Sequence, residues 1–268
     1  MDVLRRNNVT LHGEGEQTLL FAHGLGCDQT MWRLVAPHFD GTRVVLFDHI
    51  GAGGSDASAY DPEKYAGLGG YADDVLEICE TLNLRNVVFV GHSVSAMIGV
   101  LAAARRPDLF AGLVLIGASP RFANDGDYVG GFDMRDLEEL LDLLEKNQLD
   151  WSAAIAPAVV DDAAWQSEWR ESVCRVDPVI AGDFARATFL SDHRADCGQV
   201  TTPTLLIECS DDTLAPAQVG AFVQAAIGGS RRVILKATGH SPHLTSPAAV
   251  VAAMRDFLET QASPTTAS

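Results

Sequence analysis

No run in this chain is long and apolar enough to cross a bilayer. The longest, near residues 90–104, is short and carries His92, Ser93 and Ser95. Residues 1–13 lack the apolar stretch of a secretion signal. Basic residues are few: 19 Lys and Arg face 36 Asp and Glu, a formal net charge of -17. So acidic a surface repels phosphate backbones and anionic lipid, and nucleic-acid and membrane partners are not expected. The five cysteines are odd in number and contain no C-x-x-C pair. A disulfide framework is therefore not expected, and a reducing, cytoplasmic setting is.

What the chain does have is the make-up of a packed globular protein. Its 268 residues are 47% hydrophobic and 21% charged. Short apolar, β-branched runs recur at 8–12, 17–22, 43–48, 86–91, 112–117, 203–209 and 231–236. Several are apolar on both faces, as strands buried between helix layers are. Helical patterns fall between them, near 28–38, 69–83, 94–106, 215–226 and 246–260. Strand alternating with helix predicts an α/β fold, a mostly parallel central sheet flanked by helices.

The alternation stops between about residues 120 and 200. That stretch reads as four helices, near 134–147, 150–159, 163–174 and 178–190. Leu137, Leu140, Leu141 and Leu144 form one stripe of the first. Asp177-Pro178 opens the last as an N-cap followed by proline. Helices inserted between two strands cannot extend the sheet, so they are expected to cap one end of it. The expected organisation is a core of residues 1–120 and 200–260, a cap of 121–199, and a disordered tail, 261–268.

The chemistry gathers at three strand ends. After the run 86–91 comes Gly91-His92-Ser93-Val94-Ser95, then a helical stretch rich in small residues. This is the strand–turn–helix setting of a nucleophile elbow, G-x-S-x-G, with serine at the last glycine position. The turn lifts the Ser93 hydroxyl above the sheet and sets the Val94 N–H at a helix start, where it can donate to an oxyanion. A serine hydroxyl needs a base. The run 203–209 leads to Asp211 and Asp212, and the run 231–236 to Gly239-His240. Asp212, four residues before Pro216, is the expected acid, with Asp211 as the fallback. An N-cap before 215–226 is the plainer role for either. His240 is preferred to His243 as base. His240-Ser-Pro-His243 lacks the glutamate of a zinc HExxH helix and has proline inside it, so no metal site is expected. The loop His23-Gly24-Leu25-Gly26 should supply the second oxyanion donor, the Leu25 N–H, with Cys27 a buried neighbour.

A dinucleotide fold is the rival reading. Gly24-x-Gly26 follows a strand, and Asp48 ends the next one. Gln29 stands where the third glycine should be, and no cofactor is implied.

These residues resemble a known family. Asp48-x-x-Gly51-x-Gly53-x-Ser55, the run GHSVSAMIG from Gly91, and Gly239-His240-x-Pro242-His243 are similar to the RsbQ-like branch of the α/β-hydrolases. That branch includes plant strigolactone and karrikin receptors and the bacterial stress-response regulator RsbQ. Gly26-Cys27-Asp28-Gln29, Gly130-Gly131-Phe132, Asp177-Pro178 and the stretch 189–194 resemble the bacterial member more closely. The resemblance runs from about residue 6 to 258 and covers the cap. It implies a four-helix V-shaped cap over a deep apolar pocket. It also implies slow hydrolysis of a small hydrophobic ester, lactone or enol ether, coupled to signalling through a partner protein.

Two roles are therefore expected to compete. One is a plain esterase using Ser93, His240 and Asp212. The other is a ligand-sensing regulator whose cap meets a partner. The first cap helix carries Asp133, Asp136, Glu138, Glu139, Asp142 and Glu145, a charged face whose plainest role is solvation. Phe132, Trp151, Phe184 and Phe189 are candidate pocket residues, though aromatics at helical spacing are commonly core.

Overall fold

A computed structural model describes residues 2–262. Seven strands form one sheet in the order β1-β3-β2-β4-β5-β6-β7. They are β1 (Thr10–His12), β2 (Thr18–Ala22), β3 (Arg43–Phe47), β4 (Val87–His92), β5 (Phe110–Ile116), β6 (Thr204–Asp211) and β7 (Arg231–Thr238). β1 pairs antiparallel with β3, and every other pair is parallel. Each of the seven apolar runs is thus a strand, with ends shifted by a few residues.

The pleat explains the two-sided burial. In β2, Leu20 and Ala22 join one core cluster while Leu19 and Phe21 join another across the sheet. In β4, Val87 and Phe89 divide from Val88 and Val90 in the same way. Among the described residues eleven α-helices accompany the strands: α1 (Val3–Arg6), α2 (Leu68–Thr81), α3 (Val94–Arg105), α4 (Met134–Lys146), α5 (Gln148–Val159), α6 (Ala163–Arg175), α7 (Pro178–Phe189), α8 (Arg194–Cys197), α9 (Ala217–Ala226), α10 (Pro242–Thr245) and α11 (Pro247–Ala262). Residues of α2 and α3 fill one core, and those of α11 the other.

The helix expected over 28–38 is a correction. Two 3-10 turns, Gln29–Trp32 and Ala36–Phe39, stand there instead. Pro37 has no N–H to continue an α-helical ladder. Asp28 caps the first turn, accepting from the Thr30 N–H at 2.9 Å. Of the tail expected over 261–268, Gln261 and Ala262 belong to α11 instead, and residues 263–268 lie outside the described residues.

Helices α4–α7 fall between β5 and β6 in the chain and add no strand. Their inward faces, with Leu137, Leu141, Leu144, Trp151, Trp169 and Phe189, form a third core with Cys27 and Met31. Trp169 Nε1 donates to the Leu25 carbonyl at 3.2 Å, which ties α6 to the loop after β2.

Candidate active site

Ser93 sits between β4 and α3 with φ 57° and ψ -120°, a backbone conformation that L-residues avoid. The turn persists because both sides hold it. The Ser93 N–H donates to the Ile116 carbonyl of β5 at 2.8 Å, and its own carbonyl accepts from the Ala96 N–H at 2.9 Å. Ser93 Oγ lies 2.8 Å from His240 Nε2, and His240 Nδ1 lies 2.7 Å from Asp212 Oδ2. Serine and histidine are 147 residues apart in sequence.

Asp212 does two jobs at once. Its Oδ2 accepts from His240. Its Oδ1 accepts from the Leu214 and Ala215 N–H groups at 2.9 and 3.0 Å. Capping therefore applies to this turn and not to α9, whose N-cap is Pro216. The fallback, Asp211, is exposed at the end of β6, where its carbonyl accepts from the Gly239 N–H at 2.8 Å. Asp212 and His240 side chains are only 2% and 3% exposed. Among the described residues no group of three or more His, Cys, Asp or Glu could hold a metal ion.

Behind His240 lies a layer of neutral histidines. His92 Nε2 donates to the His240 carbonyl at 3.0 Å, and the His92 ring stands 4.4 Å from that of His243. Burial drives His92 well below the ordinary imidazole pKa, and His243 and His240 act in the same sense. Burial likewise lowers His243 to about 3. His243 packs 4.8 Å from the Trp32 ring and its Nδ1 has no partner, so it serves packing more than hydrogen bonding.

The loop after β2 passes close over the serine. A Cβ on Gly24 would meet His92 Nδ1 at 2.6 Å and Ser93 Cβ at 3.3 Å, so only glycine allows this approach. Leu25 follows directly, and Val94 opens α3. Cys27 is buried, which pushes its thiol up to about 12 and keeps it inert. Asp48, the rival fold's ribose acid, is fully used inside the protein. It accepts from the Gln29 N–H at 2.8 Å, Asn8 Nδ2 at 2.7 Å and the Gly54 N–H at 2.8 Å.

A narrow apolar cavity of about 20 Å³ lies against this loop. Trp151 and Phe184 line it, with His23, Leu25, Leu144, Val173, Val176 and Ile180. Phe132 and Phe189, also candidates, do not. Phe189, at the end of α7, turns its ring onto Phe122 at 5.0 Å. Phe132 is held in a loop bridge, its N–H donating to the Phe122 carbonyl at 3.2 Å. A wider groove of about 980 Å³ runs along β1 and β3, and neither it nor the smaller cavity is lined by Ser93, Asp212 or His240.

Two residues escaped the sequence reading. Ser95 was read only as a small stand-in for glycine, and His49 not at all. They are joined at 2.7 Å, and both are buried. Small size at the elbow was the sole visible signal.

A strained serine at a strand–helix turn, linked to a histidine and a carboxylate from later strand ends, defines the class of α/β proteins built for nucleophilic catalysis. The chain belongs to the alpha/beta hydrolase family, whose pattern matches residues 19–253. It is 40% identical over 261 residues to strigolactone esterase D14 of Arabidopsis thaliana, covering 96% of this chain and 98% of that protein. Karrikin insensitive 2 receptor CA of Petunia hybrida is 39% identical over 250 residues, covering 91% and 93%. The structure of olei00960, a hydrolase from Oleispira antarctica, superposes with TM-score 0.94 at 39% identity over 96% of each chain. These relatives bear out the plant-receptor side of the resemblance.

Proposed function

We propose that the protein hydrolyses a small hydrophobic ester, lactone or enol-ether-type substrate, with Ser93 as nucleophile, His240 as base and Asp212 as orienting acid. The carrying observation is the unbroken line of hydrogen bonds from Asp212 through His240 to Ser93; the apolar cavity against the Leu25 loop, which passes close over the serine, supports the choice of an apolar substrate. His240 Nε2 takes the Ser93 proton as Oγ attacks the carbonyl carbon. Asp212 holds the Nδ1–H tautomer and stabilises the imidazolium. The Leu25 and Val94 N–H groups receive the oxyanion. His240 returns the proton to the leaving oxygen, and water, deprotonated by the same imidazole, releases the acyl group. Residues 1–120 and 200–260 act as the catalytic core, and 121–199 as the cap that selects the substrate.

Turnover of p-nitrophenyl acetate and a fluorogenic ester panel tests this, with the mass of Ser93 adducts after a serine-directed phosphonate. Ser93→Ala retaining near-normal turnover ends the reading.

A second reading, a ligand sensor in which slow hydrolysis activates a partner protein, is favoured by the small volume of the cavity and by relatives named as receptors. A melting shift with a strigolactone or karrikin, alongside slow turnover, supports sensing. Fast turnover of a simple ester without any shift supports plain metabolism. No helix among the described residues is long and apolar enough to cross a membrane. Five unpaired cysteines, four of them buried, suit a reducing cytoplasm.

A further inference from the structure

Three chain segments converge beside Ser93 in a closed set of hydrogen bonds. Ser95, in the first turn of α3, donates from Oγ to the His23 carbonyl at 2.5 Å. Having donated there, Oγ accepts from His49 Nε2 at 2.7 Å, so the proton of His49 is on Nε2. The same nitrogen is 3.2 Å from the His23 carbonyl. In return, the His49 backbone N–H donates to His23 Nε2 at 3.0 Å, which leaves the His23 proton on Nδ1. That Nδ1–H donates to the Gly24 carbonyl at 2.9 Å, where the Cys27 N–H joins it at 3.2 Å.

The last bond matters because of the covalent structure of the chain. The Gly24 carbonyl and the Leu25 N–H belong to one planar peptide unit. Holding the carbonyl on one side aims the N–H to the other. The Ser95 bond to the His23 carbonyl fixes the distance between this loop and the start of α3, where the Val94 N–H lies. An oxyanion pocket works only if both donors stand within about 2.7–3.1 Å of the developing charge.

We propose that His49 is a positioning residue that, through Ser95 and His23, sets the gap and orientation of the two oxyanion donors. This rests on the hydrolytic reading above. The burial of His49 supports a purpose beyond filling space. Its ring lies among those of Phe47, Tyr71 and Phe184, at 5.2, 5.7 and 5.6 Å, and its Nδ1 has no partner. An aliphatic side chain would fill that space without burying an unpaired nitrogen. The imidazole contributes what an aliphatic group cannot, a donor aimed at Ser95. It also explains why serine suits the elbow position where glycine is usual: the hydroxyl is the link.

The test compares His49→Leu, His49→Gln and Ser95→Ala with the wild type on p-nitrophenyl acetate, counting active sites by phosphonate adduct. His49→Leu and Ser95→Ala are each expected to lower kcat per active site about 10- to 100-fold with KM within about twofold, a fraction of the loss of a whole oxyanion donor. The double variant should lose no more than the worse single one. His49→Gln, whose amide N–H can reach Ser95, should recover much of the loss. Binding of a phenylboronate, which mimics the tetrahedral anion, should weaken in parallel. Should His49→Leu not fold, Ser95→Ala removes the same link by itself. Unchanged kcat per active site in Ser95→Ala, or additive losses in the double variant, overturns the proposal while leaving the hydrolytic reading intact. A wild type with neither turnover nor Ser93 adduct overturns both.

Discussion

At Ser93 the backbone carries strain so that one hydroxyl can stand within proton-transfer distance of an imidazole. With Oγ 2.8 Å from His240 Nε2, Ser93→Ala should lose about 10^4-fold or more of kcat. Asp212→Asn keeps the shape but reverses the hydrogen bond demanded of His240 Nδ1, and should lose about 10^4-fold in ester turnover assays. Gly24→Ala tests the approach of the loop. Its new methyl would press on His92 Nδ1, and that ring cannot swing away while its Nε2 holds the His240 carbonyl. A loss of about 100-fold in kcat/KM is expected, the size of one oxyanion donor. Turnover within twofold of wild type would show that the loop can yield.

At the scale of elements, α4–α7 each give residues to the wall of the apolar cavity beside the Leu25 loop: Leu144, Trp151, Val173 and Ile180. About 20 Å³ holds little more than one water molecule, so on the proposed reading a substrate uses this cavity only as side chains or helices part. Val173 of α6 and Ile180 of α7 line that space. Truncating both to alanine should shift preference toward longer acyl chains, read as the ratio of butyrate to acetate ester kcat/KM. The price is about 2 kcal/mol of stability per site, read by urea denaturation. An unchanged ratio would mean that access is governed elsewhere. The face of α4 with Asp136, Glu138, Glu139, Asp142 and Glu145 is exposed along its length, as its charge pattern implied. The helices α4–α7 were legible from leucine spacing and Asp-Pro capping. The pair of 3-10 turns was not, since apolar periodicity resembled a helix and Pro37 alone spoke against it.

For the whole molecule, buried neutral histidines set an acid limit. His23, His49, His92 and His243 all have pKa values lowered by burial. Below about pH 6.5 the unfolded chain binds protons at these sites and the native protein does not, so stability falls as pH falls. For His243 that loss has a slope of about 1.4 kcal/mol per pH unit, continuing toward its native value of about 3, and the other three act in the same direction. Urea midpoints measured from pH 7.5 to 5 should therefore decline steeply. His243→Phe should make that decline shallower by about one proton's worth. A wild-type midpoint independent of pH over this range would contradict the buried neutral state.

Sequence alone carried the strands, the helical insertion and the placing of Ser93 and His240 past strand ends, and narrowed the carboxylate to Asp211 or Asp212, because each of these writes a local pattern: alternation, a cap, or a motif past a strand end. Tertiary structure decided what local patterns do not carry. Packing chose Asp212 over Asp211 by burying one and exposing the other. It put Trp151 and Phe184 on the cavity while turning the Phe189 ring to Phe122 and holding Phe132 by its backbone in a loop bridge. It brought His49 to Ser95 from 46 residues away, a partnership no spacing rule announces, because it exists only where the ends of β2, β3 and β4 meet.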